Sequence, residues 1–351
     1  MSFFDSLEHL SEAVPNRAKL RFRGGKFRVL TFSDLHGVVD FDRRLTRDIG
    51  AILDEAKPDL VLLLGDIVWR DAAESPATLR AFLSEVAGEM EKRGILWAHV
   101  FGNHDAERGY PVAEQQKVYE EFPLCLTKRG PETVQGTGNY LLPVYGEKDE
   151  RIKFAIWNMD SHRGVGEYLA ECGLPADVRL AQLPDPLYVS QTYDAVRFEQ
   201  IAWYWNLSEE LEEAEGGKVP GLLTMHMPCP EYVLPYKNVA ETRYKGLRRE
   251  HIGSGPVNSG LYSALVQRGD VKTIVVGHDH INDYEGDYLG IKMTYDAGIN
   301  YDCYCDDDMR GGRIVDVFEE DPWHVRTFMI RAADCVADYP GEEMRRGAKK
   351  A

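Results

Sequence analysis

The stretch Thr273-Ile-Val-Val-Gly-His-Asp-His280 decides how this chain folds. A run of β-branched and apolar residues ends in a glycine, and two histidines follow with one residue between them. Apolar character without alternation is what a strand in a sheet covered on both faces requires. Gly277 lets the chain turn sharply and lets other groups approach the strand's carboxyl end. In open α/β sheets that is where ligands bind. If the backbone alternates there, His278 and His280 offer two imidazoles from one small patch of chain.

The same pattern recurs along the sequence. Phe27–Phe32 reads as a strand and runs into Ser33-Asp34-Leu35-His36-Gly37. Asp59–Leu64 is a second buried strand ending in Gly65-Asp66, and Ile95–Phe101 a third ending in Gly102-Asn103-His104-Asp105. Helical patterns over about 43–56 and 76–92 separate them, so three successive β-α-β units predict parallel crossovers. The middle changes character. Residues 140–145 and 152–157 read as a hairpin, residues 161–193 as a polar surface insertion, and 195–213 as a helix. Gly221–Met225 is a further strand that delivers His226, and a long loop from 228 to 256 precedes a helix at about 258–268. Short strands are expected near 291–295, 313–317 and 324–330.

Composition narrows the function. The chain has 351 residues, 44% of them apolar, and a formal net charge of −17. This suits a globular protein with a sizeable core and argues against a surface that tracks a phosphate backbone, which needs clustered positive charge. Six scattered cysteines do not form a disulfide framework. The first ten residues lack the pattern of a signal peptide, and no stretch reaches the roughly 18 apolar residues of a membrane span. The expectation is a cytoplasmic protein acting without nucleic acid or membrane. Its organisation is read as a lead-in over 1–25, a domain over 26–335 and a tail over 336–351.

Metal-type residues thus follow five strands: Asp34 with His36, Asp66, Asn103 with His104, His226, and His278 with His280. Imidazole, carboxylate and amide oxygen without thiolate suit hard-to-borderline cations. Two carboxylates and four imidazoles are too many for one tetrahedral site and fit two ions of higher coordination, with Asp66 able to bridge. Two such ions about 3.5–4 Å apart serve in-line displacement at phosphorus.

Taken in order, Asp34-Leu-His36, Gly65-Asp66, Gly102-Asn-His-Asp105, His226 and Gly277-His-Asp-His280 resemble the motifs of the calcineurin-like metallophosphoesterases. Pro256-Val-Asn-Ser-Gly260 and the run to Asp283 resemble single-domain phosphatases grouped beside the purple acid phosphatases. The resemblance covers about residues 26–300. It implies a four-layer α/β/β/α sandwich of two mixed sheets flanked by helices, with a dinuclear centre of manganese, iron or zinc at the strand ends. Asp34, His36 and His280 would hold one ion and Asn103, His226 and His278 the other, with Asp66 bridging. His104 would sit over the substrate to stabilise the pentacoordinate phosphorus or protonate the leaving oxygen, with Asp105 orienting it; a loop carboxylate capping nearby amides is the other reading of Asp105. Asp279 would point away from metal. The implied activity is hydrolysis of a phosphate monoester, from a small phosphorylated molecule, by a metal-bound hydroxide. A phosphodiesterase or nuclease with the same site, and a non-catalytic scaffold, are the rival readings. Two divalent ions against two carboxylates and a hydroxide leave one net positive charge, so the site can accept phosphate even in an acidic chain.

Departures from relatives refine this. Purple acid phosphatases carry a tyrosine ligand shortly after Gly-Asp and lack the histidine of Asp-x-His. Here Trp69 follows Asp66 and His36 is present, so no tyrosinate colour is expected. Arg70 falls at the spacing of the phosphate-holding arginine of protein Ser/Thr phosphatases in a different context, and a solvated loop charge is the other reading. His99, inside a strand, is expected as a packed core histidine, and His162 and His251 as solvated loop residues, with reach to the mouth of the site as the other reading. Cys229 reads as a turn residue, Cys303 and Cys305 as ordinary thiols, and Asp306–Asp308 as a solvated turn. The locally basic 228–256 loop, with Arg248 and Arg249, is expected to rim the site or to cover a sheet end.

Overall fold

A computed structural model describes residues 19–175, 192–337 and 339. Strands β1 (Lys26–Phe32), β2 (Leu60–Leu64) and β3 (Leu96–Val100) are parallel neighbours joined through helices α1 (Arg44–Ala56) and α2 (Pro76–Glu91). Helix α2 starts where its sequence says it should. Ser75 and Thr78 form a reciprocal capping box and Pro76 occupies the first turn, where its missing N–H costs nothing. Helix α3 (Val112–Tyr119) precedes the antiparallel hairpin of β4 (Tyr140–Tyr145) and β5 (Ile152–Asn158).

Helices α4 (Val165–Glu171) and α5 (Phe198–Glu215) lead to β6 (Gly221–Thr224). Short α6 (Val233–Lys237) and α7 (Leu261–Arg268) precede β7 (Val271–Val276), β8 (Glu285–Tyr288) and β9 (Ile291–Tyr295). The chain returns to the first sheet through β10 (Gly311–Phe318) and β11 (Asp321–Arg331), and ends in α8 (Ala332–Cys335). The two sheets have the orders β11-β10-β1-β2-β3 and β4-β5-β6-β7-β9-β8, both mixed.

The alternation of side chains along β2 shows why its sequence is apolar throughout. Leu60, Leu62 and Leu64 enter the core between the two sheets, together with Phe27, Val29, Phe154, Leu222 and Val275. Val61 and Leu63 face the other way, into the core beneath α1 and α2. The second sheet packs its outer face on α5 and α7 through Trp157, Leu223, Ile274, Tyr204 and Leu265. Helix, sheet, sheet and helix form four layers, as expected, with the strands' carboxyl ends opening along one seam.

Several details differ from the sequence reading. Leu20 and Phe22 are buried in the inter-sheet core, so the lead-in is part of the folded body from residue 19. The helix at 261–268 begins after Gly260, whose backbone is left-handed (φ 83°), and the Asn258 side chain caps the turn before it. The edge strand β8 was missed because Glu-Gly-Asp-Tyr carries no apolar run. The insertion at 161–193 contains α4, and its residues 176–191 lie outside the described residues, as do 1–18 and the tail from 340.

Candidate metal centre

Each of the five strand ends projects into the seam. Asp34 and His36 leave β1, Asp66 leaves β2, Asn103 leaves β3, His226 leaves β6, and His278 and His280 leave β7. The first three strands belong to one sheet and the last two to the other. Backbone bonds lock the turns together: Asp34 N–H donates to Gly65 O, His36 N–H to Asp66 O, and Gly277 N–H to His226 O. The fit is too close for a side chain at Gly102, where a Cβ would overlap the Asp66 carboxylate and amide.

Two clusters of ligand atoms result. His36 Nε2 lies 3.0 Å from His280 Nε2, 3.9 Å from Asp34 Oδ1 and 3.6 Å from Asp66 Oδ2. His280 Nε2 is 3.3 Å from Asp34 Oδ1. In the second cluster His226 Nε2 lies 3.2 Å from Asp66 Oδ2, 3.1 Å from the Asn103 side-chain oxygen and 3.2 Å from His278 Nδ1. Ligands bound at roughly 2.0–2.2 Å to one ion stand about 3 Å apart in an octahedron and somewhat farther in a tetrahedron. The spacings match that requirement, and Asp66 Oδ2 belongs to both sets.

The donor atoms are also arranged for cations. Asp34 Oδ1 and Asp66 Oδ2 are buried without a hydrogen-bond partner, an expensive state unless something positive satisfies them. Their other oxygens are engaged: Asp34 Oδ2 accepts from Ser33 Oγ and His278 N–H, and Asp66 Oδ1 accepts from His104 N–H. The outer nitrogens of two imidazoles are fixed as well. His226 Nδ1 faces Leu64 O at 2.7 Å and His280 Nδ1 faces Tyr304 O at 2.7 Å, so each presents Nε2 inward. The Tyr304 ring stacks on His280, with centroids 4.0 Å apart.

Electrostatics divides the histidines. Burial pushes His36 and His278 down to about 3. Burial opposes charge on His226 and His280 too, but Asp66 and Asp34 outweigh it and raise them to about 10 and about 9. These imidazoles in turn hold Asp34 and Asp66 below the ordinary carboxylate range, against burial. Both carboxylates are thus kept ionised.

Neighbouring residues depart from expectation in instructive ways. Of the two expected roles of Asp105, orienting His104 or capping nearby amides, the hydrogen bonds match the second. The Asp105 carboxylate accepts four backbone N–H groups, from Asp66 (3.1 Å), Gly102 (2.7 Å), Ile67 (3.0 Å) and Val68 (3.0 Å), and so holds the turn that carries Asp66. Burial, with Asp66 next, pushes it up to about 7. Glu107, which the sequence reading overlooked, contacts the His104 ring instead. Asp279 accepts from Tyr295 OH and Gly253 N–H and belongs to none of the metal-type groups.

Cys303, read as an ordinary thiol, groups with His36 and His280 as a third metal-type side chain. His162 is buried rather than solvated, with Nε2 2.8 Å from Gln200 Oε1. His99 is stacked on Tyr119 inside the core. Asp306 and Asp308 bind Arg249, so the acidic run is not a free turn and that cation is already neutralised. Arg248 lies over the Tyr236 ring. The loop meets the centre at Gly253, where a Cβ would touch the His278 ring.

A family model described as calcineurin-like phosphoesterase matches residues 27–282. "Probable inactive purple acid phosphatase 29" of Arabidopsis thaliana is 27% identical over 83% of this chain and 77% of its own. "Probable inactive purple acid phosphatase 14" of the same plant is 29% identical over 84% and 76%. A dimetal phosphatase from Danio rerio covers 87% of this chain and 99% of its own with 14% identity and a TM-score of 0.48. All five strand ends fall within the matched span, and the chain belongs to the calcineurin-like phosphoesterase family.

Proposed function

We propose that the chain is a dinuclear metallophosphoesterase that hydrolyses a phosphate monoester of a small molecule. The observation that carries this reading is the pair of buried carboxylate oxygens, Asp34 Oδ1 and Asp66 Oδ2, left without hydrogen bonds amid converging imidazole nitrogens. Asp34, His36 and His280 would hold one ion, Asn103, His226 and His278 the other, and Asp66 both. Bound there, two divalent or trivalent ions would lower the pKa of a water toward neutrality and offset the charge of a phosphoryl group.

The chain's own residues do the remainder. Asp105 fixes the turn that aims Asp66, and the main-chain N–H of His104 holds the other Asp66 oxygen. The His104 ring is part-exposed, with Nε2 4.0 Å from Asp66 Oδ2, placed to meet a bound substrate at the mouth of the centre. Trp69 stands edge-on to His36 at 5.5 Å and forms one wall.

Relatives named inactive make retention of the fold without turnover the rival to exclude. Metal analysis after loading with manganese, iron or zinc, with paired assays on 4-nitrophenyl phosphate and bis(4-nitrophenyl) phosphate, separates the readings. About two ions per chain with faster monoester hydrolysis is the expected result. Faster diester hydrolysis would make it a phosphodiesterase, and loaded protein inert on both would overturn the enzyme reading.

A further inference from the structure

His104 has a carboxylate partner that neither the motif nor the family match assigns. Glu107 Oε1 lies 2.5 Å from His104 Nδ1, and Glu107 Oε2 accepts the Trp69 indole N–H at 3.0 Å. The contact follows from local chain geometry. Glu107 N–H donates to His104 O in a tight turn, so a residue three positions on folds back beneath the ring. Trp69 is itself held: its indole stands edge-on to His36, and the Arg70 guanidinium lies 3.7 Å from its ring centroid. Both oxygens of Glu107 are therefore committed, one to the ring and one to a fixed donor.

A carboxylate has no hydrogen to give, so the ring nitrogen facing it carries one. The hydrogen bond made by one imidazole nitrogen sets the state of the other. With Nδ1–H pinned to Glu107, the working nitrogen is Nε2, the one directed at Asp66 Oδ2. We propose that Glu107, buttressed by Trp69, is the positioning residue that fixes the tautomer and orientation of His104 for proton delivery to the leaving group. This rests on the phosphoesterase reading above. In the step, a bond forms from the incoming water oxygen to phosphorus while the bond from phosphorus to the ester oxygen breaks. The electron pair goes to the ester oxygen, and the proton on His104 Nε2 moves to it, releasing an alcohol. The protons of the water stay on the phosphate product, solvent returns a proton to Nε2, and Glu107 keeps Nδ1–H in place throughout.

Glu107 is half-exposed and outside the core, so its variants should fold. Proton delivery matters most when the leaving group is poor. Glu107→Ala in metal-loaded protein should lower kcat about 10–100-fold on ethyl phosphate, a part of the roughly 10²–10⁴-fold that general acid catalysis supplies, and little on 4-nitrophenyl phosphate. Glu107→Gln, which keeps one oxygen for Nδ1–H, should recover part of the loss. On a His104→Ala background, Glu107→Ala should cost nothing further. Long-range 1H–15N NMR, with the His104 signal assigned from His104→Ala, should show Nδ1–H in the unmodified chain and a shift toward Nε2–H in Glu107→Ala. Equal losses on both esters, additive losses in the double variant, or an unchanged tautomer would overturn the proposal. If the unmodified protein hydrolyses neither ester, the phosphoesterase reading fails, and the NMR result still decides what Glu107 does to the ring.

Discussion

Asp105 offers the sharpest test of how the centre is built. Asp105→Ala removes the acceptor of four buried N–H groups, from Asp66, Ile67, Val68 and Gly102. A buried donor left unpaired costs about 1–3 kcal/mol. Four donors at the low end give about 4 kcal/mol, and the low end applies because a water entering the vacated space could satisfy part of the set. At roughly 2 °C per kcal/mol for a large domain, the melting temperature should fall by about 8 °C. Asp105→Asn keeps one acceptor oxygen and should fall between the two. Because the released turn carries Asp66, metal affinity should drop about 10–100-fold, as when other supporting partners of metal ligands are removed. Thermal unfolding of metal-free protein and metal titration measure the two effects separately. The alternative role, orienting His104, makes the opposite forecast: turnover falls while stability and metal content stay unchanged. That outcome would refute the reasoning from the four N–H bonds.

Three other predictions concern the same seam. His104→Ala keeps the main-chain N–H that binds Asp66 Oδ1, so metal content should be retained while kcat falls about 10²–10⁴-fold; loss of metal would show that the ring holds the centre together. Gly102→Ala forces a methyl group onto the Asp66 carboxylate and should cost about 1–3 kcal/mol, with metal binding impaired, as read by unfolding and metal analysis. Unchanged metal content would mean that the turn yields easily. With metal removed, His226 and His280 bind protons more tightly folded than unfolded, since both are raised above the ordinary histidine value, to about 10 and about 9. Their contribution is fully present below about pH 6.5 and is lost as pH rises through 9 to 10, so metal-free protein should lose stability across that window. Metal must displace those protons, and apparent affinity should therefore rise with pH. Metal-free stability that climbs over the same window would contradict the pairing with Asp34 and Asp66.

The candidate ligands were legible because they obey a long-range rule visible locally. An apolar run followed by glycine and a polar side chain marks a strand's carboxyl end, and His226 and His280 could be picked out without knowing which strands are neighbours. The grouping of their donor atoms into two clusters was not readable from spacing, since it depends on two sheets meeting at a seam. Of the supporting residues, Asp105 had amide capping as one of two readings, whereas Glu107 was hidden. Asp105 and Glu107 lie within the same short loop and look alike as acids, yet one accepts backbone N–H groups from another strand's turn and the other folds under a ring. Arg249 looked like a free cation because Asp306 and Asp308 are 57 and 59 residues away in sequence. Edge strand β8 carried no apolar signal, since its pairing with β9 is made by the backbone.

Backbone strain explains why the supporting residues matter. Asp34, His36, Asp66 and His278 all have left-handed backbones, with φ of 54°, 46°, 48° and 74°. For residues with side chains this costs of order 1–3 kcal/mol each, so relaxed loops would not present these four donors together. The strands that feed them supply the opposing free energy. β2 alone buries five apolar side chains, at about 1.5–3 kcal/mol apiece. But burial in a strand fixes only where the chain leaves the sheet. The conformation of the next residue has to be held by bonds to the turn itself. Asp105 supplies them at Asp66, Ile67 and Val68, and the Asn300 side chain does the same on Asp34 O. A centre assembled in this way is already shaped before any ion arrives, so metal binding should order little additional chain. Hydrogen exchange at the amides of residues 66–68 should then be slow in metal-free and metal-loaded protein alike, and protection that appears only on loading would show that the ions, not Asp105, shape the turn.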